Sequence, residues 1–587
     1  MDKSCDLGGT MKEFIIDAEN LGFTYKGSNN RQLSHISVKI KAGERVAVMG
    51  ATGAGKTTFA MMLNGIIPHH HPGDLYGKLC IKNKVTHEVG IEELVTNVGL
   101  VMQDPEAQLT ARCALDDAAV GPANLGLPRD DVWSRATRAL CEVGLSDLED
   151  RDTSQMSGGQ QQRLAIAGIL AMTPDILVLD EPTSELDPAG TREIYRIIEE
   201  QCSAGRTVVL IDHDSDRVVN WADKLLVLSK GEAVYFGPPD EFFRDEERVR
   251  QAQLRQPAKF ELLSVANEVG LLKEQETSIS SDELLEKLSI VIKDATASQK
   301  SEFIGSNTVT PSPEKEGPSA IEVHGLAHRY QSGVLALDNV SIDIASGDFV
   351  ALLGTNGAGK TTFARHLVNL LHPTAGEVLI NGSDTAGRKV HELASEIGYV
   401  FQNPDHQIFA NSVFDEVAFG LRNFGFSETE IPDRVYEVLS RVHLEEKIDV
   451  HPFTLGRGER QRVAVASVLA LKPEILVIDE PTTGQDWNGA VTMLELVREL
   501  NAEGKTIVMI THDMLLASLY ARRAVVFQNA KIALDVPMSD LFADSEVVRS
   551  LNLEVPAITD LTSKLHLGNV YSRAQLHAKL ERIAHAS

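Results

Sequence analysis

Gly50, Ala51, Thr52, Gly53, Ala54, Gly55, Lys56 and Thr57 follow one another and lead into Thr58. The spacing G-x-x-x-x-G-K-[ST] lets glycine-rich backbone approach a polyphosphate and turn its N–H groups toward the oxygens. Lys56 would then reach the terminal phosphates, and the Thr57 hydroxyl is placed to ligate Mg²⁺. A Gly-rich turn can match this spacing by chance, but here it occurs twice. Gly354, Thr355, Asn356, Gly357, Ala358, Gly359, Lys360 and Thr361, followed by Thr362, repeat it.

The flanks supply what such a loop needs. Arg45, Val46, Ala47, Val48 and Met49 read as a short buried strand, and residues 58–64 read as the first turns of a helix whose N-terminus faces the phosphates. The second half of the chain repeats the first with an offset of about 300 residues, as from Lys56 to Lys360, far beyond solenoid periods. This is a tandem domain duplication, so each copy checks the other.

Each copy also carries an apolar strand closed by two acids: Ile176 to Leu179 before Asp180 and Glu181, and Ile475 to Ile478 before Asp479 and Glu480. Such a run suits the centre of a parallel sheet, and the carboxyl ends of its strands are where ligands gather in open α/β folds. Asp180 and Asp479 are assigned to the Mg²⁺ shell, and Glu181 and Glu480 to polarising the attacking water. A further apolar strand ends in Asp212 and His213 or in Thr511 and His512, putting a histidine where it could contact a γ-phosphate; a single such histidine is more often a structural partner. Gln103 and Gln402, each at the end of another strand and before a Pro-containing turn, could reach Mg²⁺ or its water. Tyr25 and Tyr330 precede the two loops at matched positions, where a ring could stack on adenine or simply pack in the core. His69, His70 and His71 read as a polar loop, because consecutive side chains do not converge on one metal without a special turn.

With 587 residues, 43% hydrophobic and 24% charged, the chain has ordinary globular content and is too long for one core. The formal net charge of -28, with no long basic patch, argues against a nucleic acid partner. The five cysteines all lie in the first half and form no C-x-x-C pair, so they read as reduced thiols of a cytosolic protein. No apolar run approaches the roughly 18 residues that cross a bilayer, and residues 1–10 lack the apolar core of a signal peptide. If the chain serves transport, other subunits must supply the path.

Antiparallel strands are expected ahead of each loop, mostly helical segments such as 132–143 and the helix starting at Ser157 between loop and acid strand, and a hairpin around Lys230 and Gly231. The expected boundaries are an N-terminal extension, 1–11; domain 1, 12–255, with a helical tail, 256–294; a flexible linker, 295–319; domain 2, 320–550; and a second helical tail, 551–587. The fold class is α/β: tandem P-loop domains, each with a mostly parallel core sheet, an antiparallel β subdomain, a helical subdomain and a small helical tail.

Together with the loops and acid-tipped strands, Ser157, Gly158, Gly159 and Gln160 complete a set that resembles the ATP-binding cassette ATPases, with two nucleotide-binding domains fused. These residues look like the family's signature sequence, physically a second anion site at a helix N-terminus. The resemblance implies ATP and Mg²⁺ as cofactors and a head-to-tail pairing of cassettes, within one chain or between two. Each ATP would lie between the phosphate loop of one domain and the signature of the other. Asn403 to Phe409, with Pro481 to Asp486, resemble the ATPases of energy-coupling factor importers, which drive uptake of vitamins or of cobalt and nickel ions. That likeness implies a transmembrane coupling subunit, a substrate-binding membrane subunit and a peripheral place on the cytoplasmic face of the cell membrane. A soluble two-cassette factor acting on the ribosome is the alternative; the acidic linker and net charge weigh against it.

Where copy two should carry the signature it has Gly456, Arg457, Gly458 and Glu459. The serine hydroxyl is lost, a glycine has become Arg457 and a glutamine Glu459. One strong and one weak ATP site are therefore expected, unless Arg457 compensates by contacting phosphate. Activity at both sites is the alternative.

Overall fold

The computed structural model describes residues 14–28, 30–272, 280–297 and 318–586. The expected N-terminal extension, with Cys5, and most of the expected linker lie outside the described residues. The chain divides into two compact units, Met1–Pro257 and Ala258–Ser587.

In the first unit the strands are β1 (Phe14–Tyr25), β2 (Leu33–Lys41), β3 (Arg45–Met49), β4 (Gly73–Ile81), β5 (Lys84–Val85), β6 (Val98–Val101), β7 (Ile176–Asp180), β8 (Thr207–Ile211), β9 (Lys224–Ser229) and β10 (Glu232–Gly237). Their order in the sheet is β5-β4-β1-β2-β10-β9-β3-β8-β7-β6. The run β9-β3-β8-β7-β6 is parallel, and β7 and β8 are buried along their whole length, as continuous apolar sequence on a two-faced sheet demands. The strands β2, β1, β4 and β5 are antiparallel. A single residue pair, Glu232 with Ser34, joins the two parts.

The second unit repeats this plan in β11 (Ser319–Arg329), β12 (Leu335–Ala345), β13 (Phe349–Gly354), β14 (Ala375–Ile380), β15 (Ser383–Asp384), β16 (Ile397–Val400), β17 (Ile475–Asp479), β18 (Thr506–Ile510), β19 (Arg523–Gln528) and β20 (Lys531–Pro537). Here the core sheet, β16-β17-β18-β13-β19-β20, and the antiparallel sheet, β12-β11-β14-β15, are separate. In both units the phosphate loop leaves the central strand, β3 or β13, and enters a helix, Lys56–Leu63 or Lys360–Leu367.

Between β6 and β7 the chain forms the helices Ala114–Asn124, Arg129–Glu142 and Gly158–Ala171; between β16 and β17 it forms Val413–Asn423, Ile431–Arg441 and Arg457–Leu469. The sequence places the helical tail at 256–294 with the first domain, yet its helices Ala258–Glu268 and Ser281–Ala297 lie in the second unit. They pack against the other tail's helices, Ala557–Lys564 and Arg573–Ala586, with Leu284, Leu288, Leu576 and Leu580 buried. Arg573 bonds Glu268 and, at 3.2 Å, the Ser264 hydroxyl. Two short amphipathic tails each leave an apolar stripe, and stacking them covers both.

Candidate nucleotide sites

Each phosphate loop is bent by glycines in left-handed backbone: Gly50, Gly53 and Gly55 have φ of 153°, 78° and 100°, and Gly354, Gly357 and Gly359 have 134°, 78° and 108°. At Gly50 and Gly354 a side chain is excluded outright, since a Cβ would stand 2.2 Å from the Leu228 or Phe527 carbonyl oxygen. The helices after Gly55 and Gly359 start without a side-chain cap, so their first N–H groups face the loop, where an anion is favoured. Both lysines fold back over their loops. Lys56 Nζ donates to the Gly50 and Ala51 carbonyls at 2.9 and 3.2 Å, and Lys360 Nζ to those of Gly354 and Thr355 at 2.7 and 2.9 Å.

Asp180 and Asp479 end β7 and β17 with only 4% and 2% of their surface exposed. Each has one buried carboxylate oxygen, Oδ1, without a hydrogen-bond partner, and the Thr57 or Thr361 hydroxyl stands near enough to the same side chain to favour its charged form. Burial, with the neighbouring Glu181 or Glu480 adding to it, raises both carboxyls to about 6. A hard carboxylate oxygen left open beside a threonine hydroxyl and a phosphate loop is a donor set that suits Mg²⁺.

Glu181 and Glu480 follow in left-handed backbone, φ 49° and 48°, their N–H groups held by the Ile211 and Ile510 carbonyls at 3.1 and 2.9 Å. Such a bend costs energy in a residue with a side chain, and it turns each glutamate from the sheet toward the loop. Glu181 accepts from Gln103 Nε2 at 2.8 Å, meets His213 Nε2 at 2.6 Å and lies 3.8 Å from Lys56 Nζ. Glu480 accepts from Gln402 Nε2 at 3.1 Å and lies 3.3 Å from His512 Nδ1. The sequence puts Gln103 and Gln402 in the metal shell; in the structure their amide nitrogens are spent on the glutamates, which leaves the amide oxygens for a metal.

Tyr25 and Tyr330 share hydrogen bonds with Thr58 and Thr362 at 3.2 and 3.0 Å, which fixes each ring beside its loop. His69 turns to the Thr86 carbonyl at 3.2 Å, whereas His71 meets the Tyr25 ring edge-on, centroids 6.3 Å apart. The signature residues stand at a helix start. Ser157 caps the helix Gly158–Ala171, its hydroxyl accepting from the Gln160 N–H at 3.4 Å and its own N–H donating to Gln160 Oε1 at 2.9 Å. In the second unit Gly456 offers no hydroxyl, Glu459 is drawn into an ion pair with Lys447, and Arg457 lies over Gly484, where a Cβ would stand 2.9 Å from its Nη1.

Several supporting residues escape sequence reasoning. Thr483 Oγ1 donates to Glu480 at 2.9 Å, whereas the matching Ser184 hydroxyl is buried without a partner. Asp212, at the end of β8, accepts from the Tyr195 hydroxyl at 2.7 Å, from the Asp214 N–H at 2.8 Å and from Thr183 Oγ1 at 3.4 Å. The second unit has Leu494 and Thr511 in place of Tyr195 and Asp212. Comparing the copies position by position is the signal that finds these residues.

A doubled phosphate loop, an acid-tipped buried strand and a capped glycine-rich helix define a tandem P-loop ATPase. The ABC transporter family model matches residues 33–184 and 337–483. Two relatives provisionally named ABC transporter ATP-binding proteins extend the match over the chain's length. The one from Methanosarcina acetivorans is 39% identical over 92% of this chain and 89% of its own, and the one from Caldanaerobacter subterraneus subsp. tengcongensis is 38% identical over 94% and 96%. Among solved structures, cbiO1 of Clostridium perfringens, described as part of the ABC transporter complex cbiONQ, is 34% identical over 42% of this chain and 99% of its own, with a TM-score of 0.38. The chain belongs to the ABC transporter family and is an ATPase with two cassettes that bind ATP with Mg²⁺.

Proposed function

We propose that this ATPase is the energy-coupling subunit of an importer of the energy-coupling factor type, sitting on the cytoplasmic face of the cell membrane. Separate transmembrane subunits would carry a vitamin or a transition-metal ion. The observation that carries this reading is an aromatic pair on the second unit. Phe409, 60% exposed, and Phe419, 47% exposed, stack edge-on with centroids 4.7 Å apart, on the segment that continues from Gln402. Apolar rings facing solvent beside a catalytic element suit a partner helix whose movement is tied to the nucleotide. No helix among the described residues is long and apolar enough to cross a membrane, so that partner would be another chain.

In this account Thr57, Gln103 and Asp180, and likewise Thr361, Gln402 and Asp479, hold Mg²⁺, which when bound neutralises charge on the phosphate oxygens. Glu181 and Glu480 orient and polarise the attacking water, His213 and His512 brace those glutamates and reach the γ-phosphate, and the lysines hold the terminal phosphates. Each site is closed by a signature helix from another cassette, in the same chain or a second copy. The site closed by Gly456 to Glu459 is the weak one.

Tagged chain is purified from detergent-solubilised membranes, and its companions are identified by mass spectrometry. A small polytopic protein together with a second, substrate-binding membrane protein supports the importer. Ribosomal proteins with no membrane partner overturn it and leave the ATPase assignment standing.

A further inference from the structure

The two units differ behind their metal-side carboxylates. In the second, the Tyr399 hydroxyl on β16 donates to Asp479 Oδ2 at 2.9 Å, and the Arg365 guanidinium, from the phosphate-loop helix, stands near enough to both to favour their charged forms. Tyr399 pairs with Val477 across the sheet just as Leu100 pairs with Val178 in the first unit, and Arg365 stands five residues after Lys360 as Met61 does after Lys56. The first unit thus has two apolar side chains, Leu100 and Met61, where the second has a tyrosine and an arginine.

The consequence is geometric. Asp479 has Oδ2 tied down and Oδ1 buried with no partner, so its carboxylate presents one fixed oxygen. Asp180 also has a buried, unpartnered Oδ1 and has Thr57 beside it as Asp479 has Thr361, but Leu100 cannot add the second donor that Tyr399 supplies. A ligand carboxylate that is hydrogen-bonded through its second oxygen is pre-oriented and binds its metal more tightly than a loose one.

We propose that Tyr399, supported by Arg365, is a positioning residue that orients Asp479 for the divalent cation, and that the second cassette's cation site is for this reason the tighter of the two. The inference rests on Asp479 being a metal ligand and is independent of what the ATPase drives.

Full-length chain, in excess over the non-hydrolysable analogue AMP-PNP, is titrated with Mn²⁺ while free Mn²⁺ is read by electron paramagnetic resonance. Wild type should show two classes of site. Tyr399→Phe, which removes one oxygen atom, should weaken the tighter class roughly tenfold or more and leave the other in place. Arg365→Met, which keeps the tyrosine, should give a smaller loss in the same class and serves if Tyr399→Phe lowers the melting temperature. Leu100→Tyr with Met61→Arg should tighten the weaker class. If Asp479→Asn removes a class but Tyr399→Phe and Arg365→Met change neither, the positioning role is wrong. If Asp479→Asn also changes neither, the metal assignment itself fails and takes this inference with it.

Discussion

The Tyr195 hydroxyl donates to Asp212 Oδ2 at 2.7 Å, one residue before the histidine that meets Glu181. Asp212 also accepts from Thr183, two residues after Glu181, and from the Asp214 N–H, so one buried carboxyl ties the helix Pro188–Ser203 to both sides of the catalytic turn. The second cassette has no such tie and braces Glu480 directly through Thr483. The same task is met by different residues in the two copies.

Asp212 therefore makes stability depend on pH. Burial first, and then the charge of Asp214, raise its carboxyl above the ordinary 3.8, against Tyr195 and Arg217, which favour the charged form. A carboxyl with a raised folded value takes up a proton on folding, so its contribution to stability declines as pH climbs from about 4 through that folded value. Asp212→Asn keeps an oxygen for the Tyr195 hydroxyl and removes the titration. Thermal melts should show the variant gaining on wild type as pH rises from about 4 through the raised folded value. A pH-independent difference contradicts this.

The first and middle glycines of a phosphate loop should not be equivalent. A Cβ on Gly354 meets the Phe527 carbonyl oxygen at 2.2 Å, whereas one on Gly357 meets nothing within 4 Å, although both have positive φ. Gly357→Ala should cost about 1 kcal/mol from backbone strain alone, and Gly354→Ala well beyond that, with loss of nucleotide binding. Equal shifts in denaturant midpoint would show that crowding at Gly354 is relieved cheaply.

Much of this was legible beforehand, and the reason is duplication. The phosphate loops, the acid-tipped strands β7 and β17 and the cap at Ser157 are local patterns whose spacing alone fixes their geometry, and seeing the loops and acid strands twice removed chance. What stayed hidden depends on tertiary packing. Nothing in the sequence around Tyr195 says that its hydroxyl meets Asp212, nor that Tyr399 reaches Asp479 from the neighbouring strand. Which helices of the two tails meet was hidden too, because an amphipathic stripe shows that a partner is needed without naming the side chains that face it.

Restoring the signature should strengthen the weak site. Gly456→Ser supplies the missing hydroxyl, Arg457→Gly clears the side chain now lying over Gly484, and Glu459→Gln removes the charge paired with Lys447. A hydrogen bond to a charged group is worth about 1.5–3 kcal/mol, so the triple variant should raise turnover roughly tenfold or more in a Glu480→Gln background. Unchanged turnover in radiolabelled phosphate release means that Arg457 already serves the phosphate.

The aromatic pair should matter to assembly and not to hydrolysis by the isolated chain. Phe409→Ser with Phe419→Ser removes two exposed rings without emptying the core. Co-purification with membrane subunits should fall about tenfold or more, the scale of a binding hot spot, while ATPase activity in solution changes less than about twofold. The matching positions Thr110 and Val120 of the first cassette provide the control. Equal loss on Val120→Ser would argue against a privileged aromatic surface.

The most direct test of two unequal sites compares steady-state ATPase activity of Glu480→Gln and Glu181→Gln in the full chain. Glu480 serves the loop that the intact Ser157, Gly158 and Gly159 would close, and Glu181 the loop left to Gly456, Arg457 and Gly458. Glu480→Gln should abolish nearly all turnover, and Glu181→Gln should leave most of it. Equal losses would contradict the account, because two equivalent sites have no use for a degenerate signature.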